Sequence, residues 1–268
     1  MEQEITTVQE YLMAILPYQQ RALAQIHRFG SDRPALLFRG QKKDKPLVAK
    51  IAQVIYNNEC HISQPIAFER NRLRIIQSIV NTNGDYSEWD IIALAQHYGI
   101  ETRFLDWTSN SLIALWFALN SVNSHSEGQP TVWILETDKH DFDIPDGEQS
   151  PIPGEKGSET VIFTPRLIDS RILAQDSYLM RQVYEHTDPD NYKVMSIRSV
   201  NENPAFKYRC HCVTISNNKQ HKELMCNELE KYGYTRNTII PFSIWSIVKE
   251  RCNEIVKDYA VAKTNQKQ

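Results

Sequence analysis

Residues 94–118, LAQHYGIETRFLDWTSNSLIALWFA, constrain the fold more than any other part of the chain. The run holds a helix end, a short strand, a polar corner and a second helix without a break. Gly99 sits where a left-handed helix cap is wanted, and Thr102–Leu105 reads as a short strand. Asp106-Trp107-Thr108-Ser109-Asn110 forms the corner. Residues 110–123 follow as a helix that is apolar nearly all round, the pattern of a helix buried in a core. No ordinary structural run needs His97, Arg103, Asp106, Thr108 and Ser109 so close together.

A second polar signal lies upstream. Ala35–Phe38 is short and apolar, bounded by Pro34 and Gly40, and predicts a buried strand ending in Arg39-Gly40-Gln41. Around these two segments the pattern predicts a helix over residues 5–29, kinked or split at Pro17. Ser63 and Pro65 suit the start of a helix over 64–80. Ser87-Glu88-Trp89-Asp90 fits a capping box for a helix through Tyr98. Strands are expected over 131–135, near 160–163, near 171–174 and over 210–216. A long surface loop is expected from Asp138 to Ser158, a polar helix over 218–232 ending at Gly233, and a last helix from Pro241 to Ala262. There is no repeat and no Gly/Ser linker. The reading is one α+β domain, short strands and helices mixed around a buried central helix. Residues 1–30 form an N-terminal helical segment packed on it, 31–262 the domain, and 263–268 a frayed tail.

Composition enters where it excludes something. Of 268 residues 41% are apolar, enough for a packed core. Acids outnumber bases by 33 to 30, which leaves no electrostatic footprint for a dedicated DNA binder but is compatible with a local basic groove for nucleic acid. Five cysteines, an odd number without framework spacing, suit reduced thiols. The N-terminus lacks a signal-peptide pattern, and no stretch approaches the roughly 18 apolar residues of a membrane span. The expectation is a cytoplasmic protein with no membrane partner.

Each candidate side chain has a bland and a functional reading. Arg39 offers a planar fork that matches phosphate or carboxylate, and Gly40 allows close backbone approach. A surface arginine after an edge strand is the bland reading. One residue of the 106–110 corner must cap the helix that follows. Four polar residues and a Trp exceed what capping needs, so Thr108 and Ser109 are candidates for a polar ligand at the helix start. Asp106 can order Arg39 or Arg103 by a charge-assisted bond. His97 in a last helical turn suits the helix dipole. Arg171–Gln175 reads as an edge strand with polar ends. Cys210-His211-Cys212 puts two thiols on one strand face without a second pair at zinc spacing, so these are read as buried strand residues and no metal is expected.

The residues Phe38-Arg39-Gly40-Gln41, followed by Ala95-Gln96-His97-Tyr98-Gly99 and Thr102-Arg103-Phe104-Leu105-Asp106-Trp107-Thr108, resemble the FRG domain family, named for its Phe-Arg-Gly pattern. Ala114-Leu115-Trp116-Phe117-Ala118 continues the resemblance, and Arg171-Ile172 with Ala174-Gln175 resembles its third piece. The resemblance spans residues 35–250. The chain departs at Asp176-Ser177-Tyr178, where the family tends to have glycine then phenylalanine, and at Phe242-Ser243-Ile244, where it often has aspartates.

The family's layout is in turn similar to that of mono-ADP-ribosyltransferases, which carry an Arg-Gly or His-Gly pair at the end of an early strand. That likeness implies an NAD-consuming transferase or glycohydrolase. Arg39, Thr108, Ser109 and Gln175 would be its catalytic set. Arg39, Gly40, Gln41, His97, Arg103 and Asp106 would hold NAD, and no metal is implied. The acceptor macromolecule is not named by the resemblance. Its catalytic glutamate has no matching motif here; Gln175 falls near that place, and Glu159 and Glu185 lie nearby in sequence. Two other readings stand beside it. A non-catalytic module would hold a nucleotide or nucleic-acid end with Arg39, His97, Arg103 and Trp107. A purely structural chain would bury Arg39, Arg103 and Asp106 as one ion network.

Overall fold

The computed structural model describes residues 4–29, 33–43, 45–52, 65–80, 86–97, 99–120, 128–142, 144, 150–152, 159–186 and 195–242. The last helix expected from Pro241, the frayed tail, Tyr98 and much of the 138–158 loop lie outside them.

The fold is α+β, built on an open six-stranded sheet in which every recorded pairing is antiparallel. In chain order the strands are β1 (Leu36–Gln41), β2 (Phe104–Thr108), β3 (Thr131–Glu136), β4 (Val161–Phe163), β5 (Ser177–Arg181) and, after a separate β6–β7 hairpin (Tyr184–His186, Met195–Ile197), β8 (Cys210–Thr214). They lie in the order β4-β5-β2-β1-β3-β8. The helices are α1 (Val8–Phe29), α2 (Pro65–Val80), α3 (Glu88–His97), α4 (Ser111–Leu119), α5 (Ser170–Ala174), α6 (Lys219–Lys231) and α7 (Arg236–Ile239).

Alternation along the strands sorts the core into two layers. One sheet face carries Leu36, Phe38, Val132 and Ile134 against α1, α4 and α6. On the β2-β5-β4 half Phe104, Leu179 and Phe163 meet α2 and α3. The other face buries Leu37, Leu105, Trp107, Trp133, Leu135 and Met180 with Val200 and Phe206.

The sheet has a seam. β1 and β3 share six registered pairs, and β2 and β5 share five. Between β1 and β2 only Phe38 and Thr108 stand in register. Beyond that pair the ladder between the two halves stops, and Arg39 and Asp106 lie at its end.

Helix α4 is the buried central helix, with Ala114, Leu115 and Ala118 at most 1% exposed. It lies so close to β1 that a Cβ on Gly40 would stand 1.9 Å from the Ala114 carbonyl oxygen and 2.7 Å from the Ala118 nitrogen. The side of Gly40 that bears no side chain is therefore filled by helix backbone.

Three expectations need correction. Pro17 does not split α1, which runs unbroken through it. The carbonyl that loses its donor belongs to Met13, whose side chain is 62% exposed, so solvent can reach that face of the helix. The strand expected at 102–105 runs instead from Phe104 to Thr108, so Asp106, Trp107 and Thr108 are ladder residues rather than a corner. The cause is β5, which the sequence reading did not find and which pairs Asp106 with Leu179 and Thr108 with Ser177. Residues 171–174 are not a strand but helix α5, started by Asp169, whose side chain accepts the Arg171 amide at 2.8 Å.

Candidate ligand site at the sheet seam

The guanidinium of Arg39 crosses the seam. Its Nη1 donates to the Asp106 carbonyl at 2.6 Å and stands 3.7 Å from Asp106 Oδ2. The bond goes to a β2 carbonyl just past the last registered pair with β1. Arg39 is 21% exposed at its side chain and Asp106 40%, so the pair is reachable from solvent. Burial pushes the Arg39 pKa down, and Asp106 opposes that shift.

Gln96 fixes the carboxylate. Its Nε2 donates to Asp106 Oδ2 at 2.7 Å, and its Oε1 accepts the Thr102 hydroxyl. The carboxylate only accepts, so it decides which way the amide points: the Nε2 donor faces Asp106 and Oε1 is left for the Thr102 hydroxyl. The helix end that carries Gln96 is set by its own signals. The predicted capping box is present, Ser87 donating to Asp90 at 2.9 Å and Asp90 to Ser87 at 3.2 Å. Gly99 takes φ 77° where the chain leaves α3.

His97, the last residue of α3, adds a second wall. Arg171 Nη1 donates to its carbonyl at 3.4 Å. Burial lowers the His97 pKa first of all; the charges of Asp106 and Asp169 oppose this and Arg171 assists it. His97 therefore folds as a neutral ring. An unfolded chain has an ordinary histidine of pKa about 6.5, so below that pH the unfolded state binds the extra proton and stability falls. His97→Gln is expected to flatten the loss of melting temperature between about pH 7.5 and 5. An unchanged slope would show that His97 is not the group responsible.

Three buried atoms at the seam have no hydrogen-bond partner among the described residues: Arg39 Nε, His97 Nε2 and Asp106 Oδ1. Buried polar atoms are seldom left so, and each such atom needs an explanation.

The other sequence candidates fall into three groups. Thr108 is buried and its hydroxyl accepts the Asn110 amide at 3.1 Å. Asn110 is the helix cap, accepting from Leu112 at 3.0 Å and Ile113 at 3.3 Å. Ser109 is exposed, and its amide donates to the Asp176 carbonyl at 3.3 Å. Gln41 accepts the Trp133 indole N–H at 3.0 Å, on the sheet face that alternation also gives to Leu37 and Arg39. Gln175 caps the end of α5 and donates to the Ile239 carbonyl at 3.0 Å, tying α5 to α7.

Arg103 stands apart from the seam. It is 1% exposed, and its Nε and amide bind the two oxygens of Glu69 at 2.7 and 2.9 Å. Its guanidinium lies 4.5 Å from the centre of the Tyr184 ring. So the ion partner of Asp106 is Arg39 alone of the two arginines considered. Trp107, 2% exposed in the far-face core, offers no stacking surface to solvent. Glu159 is exposed, and Glu185 pairs with Arg198 at 2.7 Å on the β6–β7 hairpin; neither bonds to the seam cluster. Gln96, Thr102, Asp169 and Arg171 were not singled out as site residues. A polar pair one turn from Gly99 was the available signal for the first two. The helix-capping pattern Asp169-Ser170-Arg171 was the signal for the others.

Asp176 has φ 44°, a left-handed backbone that favours glycine. This is the position where the family resemblance expects glycine. Asp176→Gly is expected to stabilise the protein by about 0.5–1 kcal/mol, read as a rise of a few degrees in Tm. A fall would mean that the Asp176 side chain holds the turn.

Among the described residues no three His, Cys, Asp or Glu side chains are grouped to hold a metal ion. No disulfide joins the described cysteines; Cys210 is buried, with its thiol pushed up to about 12 by burial, whereas Cys212 is exposed, contrary to the buried pair expected from sequence. No helix among the described residues is long and apolar enough to cross a membrane.

These features define a mixed α+β protein whose sheet opens at an arginine–aspartate seam. The chain carries an FRG domain: residues 34–127 match the model of that family, which takes in β1, α2, α3, β2 and α4 and every residue of the Arg39–Gln96–His97–Asp106 cluster. The match is shorter than the span of the resemblance, and Arg171 and Gln175 fall beyond it. No curated protein and no solved structure matches the chain.

Proposed function

We propose that the seam binds a dinucleotide of the NAD class and that the protein consumes it, by ADP-ribosyl transfer or by hydrolysis. The carrying observation is the Asp106 carboxylate, held by Gln96 at 2.7 Å beside Arg39, with its side chain 40% exposed and its Oδ1 buried. Cleavage breaks the bond between the ribose C1′ and the nicotinamide nitrogen. The electron pair leaves on the neutral nicotinamide, and positive charge develops on the ribose. A fixed carboxylate at that point lowers the barrier by electrostatic stabilisation. Water or an acceptor nucleophile then adds at C1′ and releases a proton. The layout of mono-ADP-ribosyltransferases supports this reading, as an analogy of position: Arg39-Gly40 end an early strand, and Thr108-Ser109 lead into a helix with Ala114, Phe117 and Ala118. Cysteines outside disulfides at 210, 212 and 226 fit a cytoplasmic setting.

A second reading, binding without turnover, is favoured by one observation. Gln175, at the place of the family's expected third element, is neutral and gives one of its two amide N–H groups to Ile239. Proton NMR of the protein with NAD separates the two. Free nicotinamide appearing with time marks the enzyme. Saturable broadening of NAD signals without product marks the module. Signals unchanged at millimolar NAD would remove both.

A further inference from the structure

Of the unpartnered atoms at the seam, Asp106 Oδ1 is an acceptor, since a carboxylate has about four lone-pair sites and Gln96 takes one of them, on Oδ2. His97 Nε2 accepts or donates according to its tautomer. Gln96, the residue before His97 in α3, bonds the Asp106 carboxylate at 2.7 Å, which places that carboxylate at the helix end that carries His97. A ligand group that satisfies both must donate to the carboxylate and must either donate to or accept from the imidazole. Adjacent hydroxyls do this in either tautomer. A phosphate is disfavoured, because its negative charge is repelled by the Asp106 carboxylate. Arg39 Nη1 binds the Asp106 carbonyl and Arg171 Nη1 the His97 carbonyl, while Arg39 Nε keeps an N–H without a partner among the described residues.

We infer that Asp106 and His97 together hold the vicinal 2′,3′-diol of a ribose. One hydroxyl donates to Asp106 Oδ1 and its neighbour pairs with His97 Nε2. This rests on the nucleotide reading and deepens it, since it makes the site selective for ribonucleotides over 2′-deoxyribonucleotides. A dinucleotide of the NAD class has two such diols. If the nicotinamide ribose sits here, Asp106 lies beside the bond that breaks. If the adenosine ribose sits here, Asp106 is an anchor and the reading of binding without turnover gains.

Calorimetry on the full chain decides it. The probes are AMP against 2′-deoxy-AMP, and nicotinamide mononucleotide against its 2′-deoxy analogue. At least one ribonucleotide is expected to bind, and to weaken about tenfold or more on loss of its 2′-hydroxyl, because the loss leaves a buried acceptor unpaired. The arm that shows the loss identifies the ribose. In Asp106→Ala the ribo and deoxy forms should bind alike; if that variant does not fold, His97→Leu carries the same comparison. Ribonucleotides that bind no better than their deoxy forms would overturn the diol assignment and leave the nucleotide site standing. No binding by any of the four probes would overturn both.

Discussion

Glu69→Ala is expected to destabilise the protein by about 3–5 kcal/mol, because it leaves a buried arginine without its counter-charge. Glu69 and Arg103 are 2% and 1% exposed and 2.7 Å apart, and Glu69 also accepts the Arg103 amide. One carboxylate thus pins the side chain and the backbone at the start of β2 to helix α2. Removing it takes away both bonds and strands the guanidinium, which already has one nitrogen without a partner. Against a total stability of about 5–15 kcal/mol this is a large fraction. Urea denaturation followed by tryptophan fluorescence reads the loss. The double variant Glu69→Leu with Arg103→Met should recover much of it, since a matched apolar pair removes the stranded charge. A double variant as unstable as the single would mean that the pair contributes more than mutual neutralisation.

Gly40→Ala is expected to cost at least about 3 kcal/mol, or to prevent folding. The new methyl would meet backbone atoms of α4, the nearest at 1.9 Å, so no side-chain rotation relieves it. Either α4 moves off the sheet or β1 bends. Ala114→Gly should not rescue the variant, because the contact is with the Ala114 carbonyl and not its methyl. Thermal melts of the single and double variants test this; a wild-type melt for Gly40→Ala would show that α4 does not lie where the structure has it. The glycine of the Phe-Arg-Gly run is thus explained by helix packing, whatever else its backbone does.

Local chemistry was legible in the sequence wherever one residue sets a local conformation. The Ser87 capping box, the cap at Gly99, the apolar strand ahead of Arg39 and the buried helix after the polar run all follow from neighbours a few positions apart. What failed depended on distant partners. β2 extends to Thr108 because β5 pairs with it, and Ser177–Arg181 carries Arg and Ser in place of a plain apolar run. Arg171–Ala174 resembles a strand in composition, and only the Asp169 cap marks it as a helix. The partner of Arg103 lies 34 positions upstream in α2, beyond any spacing rule. Of the site, Arg39, His97 and Asp106 were named from sequence. Gln96 was read as motif rather than machinery, because its role appears only when Thr102 and Asp106 are seen on either side of it.

The most direct test of the central claim is a crystal structure of the protein soaked with NAD. Ligand density at the end of the β1–β2 ladder is predicted, in contact with Arg39 and Asp106. Density elsewhere, such as the groove lined by Ile5, Met13 and Val213, with the seam unchanged, would contradict it.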